Sequence, residues 1–512
     1  MKKIMIISMS ILLLTISLVN AETWEISPQY EQASQFSEGL ANLSLYTSFI
    51  NRNGDILFQY PDNAPRFSNA YSEGLSTGNN SRTGSSLEST IMDKHGNIRK
   101  ITGFSQINSF SNGLSLVANE DKTKFGFIDK TLNTVIPLTY TAAGDFSEGF
   151  ARVRNNYGDW GYINTKGEPA IDFSFSDALD FHNGLAAVKN NVGLWGYIDY
   201  NGNYIINPQF SKAYDFSYGV AVIETANGLG FVTETGNIKE LQSSIINLNN
   251  FNYGVAVAYD GVRYGLIDKF GSVISDFEWE YLSDCREGII TGKKDGLCYI
   301  LDNKCQTIDI TSANEIKEAS ENLINAKKDG LWGYILNPIA SPSPWAKNTI
   351  DIMFEFGYIT NDISYNYQDN ITRREFCAAL TSAIEKKTNT IIPIKERIVF
   401  DDTKDINVSK LVNAGIIDGV SETEFAPNDY LTREQAAKIF AYMGNNFINW
   451  EPISSNTKFI DDEDISEWAY ESVYLMQANS IMEGYEDGGF KPYIYLTKEQ
   501  AIAMMYRFIS KF

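Results

Sequence analysis

The sequence predicts a mixed multidomain protein, with an all-β tandem repeat array over residues 22–336 and all-α modules over residues 345–512. Three observations predict it. A phrase Phe-x-x-Gly-apolar-Ala-x-Val recurs with its glycines Gly149, Gly184, Gly219 and Gly254 spaced by 35 residues. A second phrase, Trp-Gly-Tyr-Ile, follows at Trp160, Trp195 and Trp332. After a Pro/Ser-rich stretch the period becomes helical, and a Thr-cation phrase recurs three times.

The first element is a leader. Met1, Lys2 and Lys3 are followed by the apolar stretch Ile4 to Leu18 and the small-residue site Val19-Asn20-Ala21, the pattern of a secretory signal peptide over residues 1–21. The stretch is shorter than the ~20 residues of a spanning helix, and no later run in the sequence reaches that length. No membrane span is expected, so another part of the chain must retain it at the cell.

Charge narrows the partners. With 42 Lys+Arg against 64 Asp+Glu the net charge is −22, a field that repels nucleic acid and anionic membrane. Local basic residues therefore stand out. The 4 cysteines are too few for a disulfide framework. Cys298 and Cys305 flank a turn, with Cys285 nearby, and either pair or stay as buried thiols.

The array comes next. Looser copies of the glycine phrase at Gly39, Gly74, Gly113, Gly288 and Asn322 extend the register to about nine units of ~35 residues. In Trp195–Tyr200 the side chains alternate between two faces, and Asn201-Gly202 supplies a hairpin turn, so each unit is a small β-meander. One meander cannot bury its aromatic face alone, and neighbours must stack. The Trp and Tyr of each unit are expected to form that core. The array is solenoid-like or propeller-like. Thirty-five residues are few for a four-stranded blade, which favours an open solenoid with degenerate units near Gly39, Gly74 and Gly288 as caps. These phrases resemble the WG repeat family over roughly residues 30–336.

Asn337-Pro338 and Ser341-Pro342-Ser343-Pro344 mark a linker over residues 337–344, and three helical units are expected at 345–397, 398–457 and 458–512. Each ends in the same phrase, with Thr372 and Glu375, Thr432 and Gln435, and Thr497 and Gln500 placed as capping boxes. Capping does not explain the cation after each Thr, at Arg373, Arg433 and Lys498, which opposes the helix dipole. A cation beside free amide donors suits an anion. Together with Phe459-Ile460-Asp461-Asp462, Phe400-Asp401-Asp402 and the Gly-Ile-Ile-Asp-Gly turn at Gly415, these units resemble S-layer homology modules over residues 342–512. The resemblance implies a pseudo-threefold helical assembly that binds a secondary cell-wall polysaccharide, commonly one bearing ketal-linked pyruvate. Arg373, Arg433 and Lys498 would meet the anion, with Trp345 and Trp468 as apolar walls. Arg grips a carboxylate through two bonds and Lys through a point charge, so the Lys498 groove is expected to be the weakest.

No Ser/His/Asp constellation, phosphate loop or zinc spacing is visible; the two histidines, His95 and His182, lie on separate units. No catalytic residue, cofactor or metal site is expected. The sequence thus reads as a secreted, wall-anchored surface protein whose array binds another protein or a glycan. A glycoside hydrolase with a dispersed carboxylate pair and a structural S-layer subunit are the alternatives.

Overall fold

The computed structural model describes residues 24–43, 48–60, 67, 70–80, 88–360, 363–388, 390–393, 400–447, 450, 457–485 and 487–511. The signal peptide read at residues 1–21 lies outside them. Nine antiparallel sheets succeed one another along the first part of the chain, seven of four strands and two of three among the described residues.

The open solenoid is not what forms. Strand Trp24–Tyr30 pairs with Leu331–Leu336, with Trp24 opposite Ile335, and becomes the outer strand of the ninth sheet. The array is a closed, nine-bladed, propeller-like ring. Four strands fit into so short a unit because the innermost strand is often only two residues, as at Ala142–Ala143 and Asp177–Ala178. A closed ring has no caps, so the degenerate units are ordinary blades.

The Trp-Gly-Tyr-Ile phrase is explained by what each side chain meets. Tyr197 and Trp195 pack toward the next blade with Phe216 and Ile223, whereas Ile198 packs toward the preceding blade with Tyr162 and Ile171. The Tyr hydroxyl then bonds to a carbonyl of the next blade, Tyr162 to Leu179 at 2.6 Å and Tyr197 to Tyr214 at 2.8 Å. The glycine leaves room for backbone. A Cβ on Gly196 would lie 2.5 Å from the carbonyl oxygen of Ile206, where the outer strand bulges between Trp195 and Tyr197. Blade eight carries Cys298 instead of glycine, and there the ladder keeps its register past that position, Cys298 opposite Thr311 and Tyr299 opposite Ile310, and shifts only between Ile300 and Leu301. Cys298 therefore does not face Cys305, and all four cysteines are free.

Turns at the inner ends of the blades latch the ring. The hydroxyls of Ser37, Ser72, Ser111 and Ser147 donate to Tyr71, Phe110, Phe146 and Phe181 carbonyls of the following blade. Glu38 accepts from the amides of Glu73 and Gly74, Glu148 from Asn183 and Gly184, Glu287 from Glu321 and Asn322. Glu321 closes the circle on Gly39, and Ser320 on Phe36.

Among the described residues six α-helices follow, α1 (Pro344–Glu355), α2 (Arg373–Thr388), α3 (Ile406–Asn413), α4 (Arg433–Phe447), α5 (Tyr470–Ala478) and α6 (Lys498–Ile509). They share one core containing Tyr367, Phe376, Phe440 and Phe508. Helix α1 packs on α6, α3 on α2 and α5 on α4. The stretch before α1 is not a free tether: Asn337 and Ala340 are fully buried, and Pro344 opens the helix. The helical part sits against the ring, with Asn322 Nδ2 2.7 Å from the Tyr367 hydroxyl, Arg52 3.7 Å from Asp351, and Tyr253 5.5 Å from the Tyr365 ring.

Candidate functional site

The helical part is built around three repeated helix starts. At each, the Thr hydroxyl accepts from the amide three residues on while that residue's side chain accepts from the Thr amide: Thr372 with Glu375, Thr432 with Gln435, Thr497 with Gln500. The residues just before each start interlock by main-chain bonds. The Ile371 amide donates to Leu496, Leu496 to Leu431, and Leu431 back to Ile371.

The three cations are buried, with Arg373, Arg433 and Lys498 at 6%, 4% and 5% exposure. Arg373 donates through Nε to the Phe425 carbonyl at 2.9 Å and through Nη2 to the Asp418 carbonyl at 2.8 Å. Arg433 makes the matching bonds to Phe490 and Glu483, both at 2.8 Å. Burial lowers both guanidiniums from their usual range; around Arg373, Asp429, Asp402 and Asp418 act in the opposite sense. Lys498 lies 3.1 Å from Glu375 and over the Tyr365 ring. Each cation thus binds within the protein, and each Arg holds the loop of the following unit to a helix start. Asp402 and Asp461 fasten the same loops, accepting from Phe425 and Ala426 and from Phe490 and Lys491.

A groove of about 200 Å³ opens beside Arg373, between Ile416, Ile417 and Asp418 on one side and Gln435, Lys438 and Tyr442 of α4 on the other, with Trp468 at its edge. Trp468 is 49% exposed, and Lys438 Nζ lies 5.2 Å from its ring and 5.5 Å from that of Tyr442. Here the structure brings Arg373 and Trp468 together. Trp345, exposed on the first turn of α1, stands outside this groove. Lys438 and Tyr442 are groove residues that the sequence reading missed. Their i, i+4 spacing on the same helix as Gln435 was the available signal.

In the ring, carboxylates follow or lie in the innermost strands, but protein groups engage them. Asp145 takes Asn108, Asp180 takes Arg152, Asp284 takes Asn249 and Glu318 takes Arg286. Burial raises the carboxyls of Asp145, Asp180 and Asp284 above the ordinary range. His182 replaces a latch serine and places Nδ1 3.5 Å from Asp215.

The profile of the WG containing repeat matches residues 22–42, 125–157, 160–191, 195–228 and 264–298. That of the S-layer homology domain matches residues 401–437 and 459–502. The chain carries WG repeats and S-layer homology domains. Two S-layer homology domains are matched, and the unit at 345–397 falls outside both. The chain is 30% identical over 156 residues to the surface-layer 125 kDa protein of Lysinibacillus sphaericus, covering 30% of this chain and 13% of that protein. It is 29% identical over 164 residues to an endoglucanase of Bacillus sp. (strain KSM-635), covering 31% and 17%. The chain spans less than a fifth of the length of these relatives. Among solved structures, BamB from Moraxella catarrhalis aligns over 61% of this chain and 99% of that one at 12% identity, with a TM-score of 0.31. The S-layer homology domains and the surface-protein relatives identify a secreted, cell-wall-associated surface protein.

Proposed function

We propose that this protein is a non-catalytic surface protein held non-covalently to a secondary cell-wall polysaccharide by three S-layer homology modules, with the WG ring as a scaffold for a second protein or glycan. The observation that carries the reading is the groove beside Arg373. An exposed indole, a tyrosine face and a lysine between them suit a sugar ring bearing a negative group, such as a pyruvyl ketal. The unit at 345–397 is read as the first module because Ile371, just before α2, enters the same cycle of main-chain bonds as the matching residues Leu431 and Leu496 of the two matched domains.

Arg373 and Arg433 act in this reading as positioning residues that set the groove walls, while Lys438, Tyr442 and Trp468 meet the glycan. The Lys498 groove is the weakest, since Glu375 already neutralises its cation. The test is a pull-down of the full chain on purified sacculi, with and without removal of the secondary polysaccharide, beside Trp468→Ala/Lys438→Ala. Binding should disappear with the polysaccharide and fall about tenfold in the variant. Binding indifferent to both would overturn the anchor.

A further inference from the structure

A cavity of about 780 Å³ opens at the centre of the ring, walled by the inner segments of the seventh, eighth, ninth and first blades with Asn249, Asp284, Glu318 and Gln35. Its rim holds Tyr281, at the start of an inner strand, Leu43, at the end of a second strand, and Trp332, near the start of a third. All three stand at the strand ends farthest from the latch turns. The helices meet the latch turns instead, Lys386 at Glu38, Tyr365 at Tyr253 and Tyr367 at Asn322. The cavity therefore opens on the face of the ring away from the helices.

Here the wall of the ring changes character. The second-strand residue that packs toward the next blade is apolar at Leu116, Ala187, Val222 and Val257. In blades eight, nine and one, which wall the cavity, it is polar and buried, as Thr291, Asn325 and Asn42. What this sector offers is acceptors. Three amides turn a nitrogen to the protein: Gln35 Nε2 donates to the Glu318 carbonyl at 3.1 Å, Asn42 Nδ2 to the Phe67 carbonyl at 3.1 Å and Asn249 Nδ2 to Asp284 at 2.8 Å. Asn42 is 9% exposed and lines the cavity, and its Oδ1 has no hydrogen-bond partner among the described residues. Buried polar groups are normally paired, so this oxygen calls for a donor.

The carboxylates call for the same. Asp145, Asp180, Asp215, Asp284 and Glu318 hold one place in five blades, directly before Phe146, Phe181, Phe216, Cys285 and Ala319. Arg152 neutralises Asp180, and Arg286 neutralises Glu318. Asp145 and Asp284 are held by the neutral amides of Asn108 and Asn249. Burial raises both carboxyls, and the like-charged neighbours Asp180 and Glu318 add to it, a strain that an incoming cation relieves. The rim already holds an ammonium of the protein's own against an indole, with Lys317 Nζ 4.5 Å from the centre of the Trp332 ring.

We propose that this central cavity binds an alkylammonium group, its N–H donors taken by Asp284 and the amide oxygens and its methylenes lying against Tyr281 and Leu43. The exposed Lys317 shares that space and competes with the ligand. The volume suits a small ligand or one long side chain of a partner. The inference rests on the reading of the ring as a binding scaffold and names the chemistry that the scaffold holds. None of its residues lines the Arg373 groove.

The experiment is calorimetric titration of the full chain with cadaverine, with an acetylated lysine pentapeptide and with tetramethylammonium, which carries the charge without N–H donors. Cadaverine or the peptide should bind at least about tenfold tighter than tetramethylammonium. Tighter binding of the peptide identifies a basic protein segment as the source of the group, and tighter binding of cadaverine a free amine. Asp284→Asn should weaken binding about tenfold, whereas Lys317→Gln, at an exposed position, should strengthen it about threefold. No binding of either amine at millimolar concentration, equal affinity for tetramethylammonium, unchanged affinity in Asp284→Asn or weaker affinity in Lys317→Gln would overturn the proposal. Absence of amine binding by a chain that still sediments with sacculi would sink this inference and leave the wall anchor standing. Loss of sedimentation with amine binding intact would do the reverse.

Discussion

In the ring, neighbouring units are joined by side chains: a serine hydroxyl, a glutamate and a tyrosine of one blade bond to backbone groups of the next. In the helical part the main chain does the joining, Ile371 to Leu496 to Leu431, and buried cations clamp carbonyls of the following unit. The difference teaches how many contacts each ring can lose. Nine units share the work through many small latches, and the ring closes although Tyr218 and Tyr253 stand where the other blades carry Glu or Asn. Three units have no such redundancy, so each clamp should matter more.

Arg433→Ala is the strongest way to test that contrast. It strands the Phe490 and Glu483 carbonyls and should cost about 4 kcal/mol in urea unfolding. Arg433→Lys should recover only part, because an ammonium lacks the fork. An effect below about 1 kcal/mol would mean that the main-chain cycle holds the helices without its clamps.

Next in size is a pH effect in the ring. Burial pushes the Glu287 carboxyl up to about 7 from the ordinary 4.5, against the opposing amides of Asn322 and Glu321. Because the folded form holds the proton more tightly, this stabilisation is complete below about pH 4.5 and is lost as pH rises through about 7. Glu287→Gln should remove up to about 3 kcal/mol of that pH dependence, read as a flatter profile of thermal midpoint between pH 5 and 8. An unchanged profile would place the titrating group elsewhere.

Gly196→Ala should cost about 2 kcal/mol, since its Cβ would meet the bulged outer strand at Ile206. A smaller loss would mean that the bulge can relax as blade eight does around Cys298. The smallest change is Ser147→Ala, which removes one 2.6 Å latch and should cost about 1 kcal/mol in thermal unfolding. A cost as large as that of Arg433→Ala would erase the contrast between the two rings.

Much of this fold was legible in the sequence because repeats write their packing into a fixed period. The Phe, Gly, Trp and Tyr positions declared both the strands and the buried face, and Tyr162, Tyr197 and Tyr334 are all fully buried. Closure was not legible. Nothing in Trp24–Tyr30 announces that it belongs to the last blade, and a two-residue inner strand such as Ala142–Ala143 has no periodicity to detect. At the helix starts, the repeated cation after Thr372, Thr432 and Thr497 pointed to an anion. The structure instead gives Arg373 and Arg433 carbonyls of the following unit, partners that become adjacent only when three units pack in a circle.

The pairing of Trp24 with Ile335 sets an order of assembly. A chain exported N-terminus first must keep its opening strand waiting until some 300 residues have crossed, the separation over which the Tyr334 hydroxyl reaches Ser34. Such long-range closure is slow, and unpaired edges meanwhile invite mispairing. Arg52 of the first blade and Asn322 of the last both touch the helical part, at Asp351 and Tyr367. Docking of the helices therefore reads both ends of the seam, so full engagement at this junction certifies a finished ring.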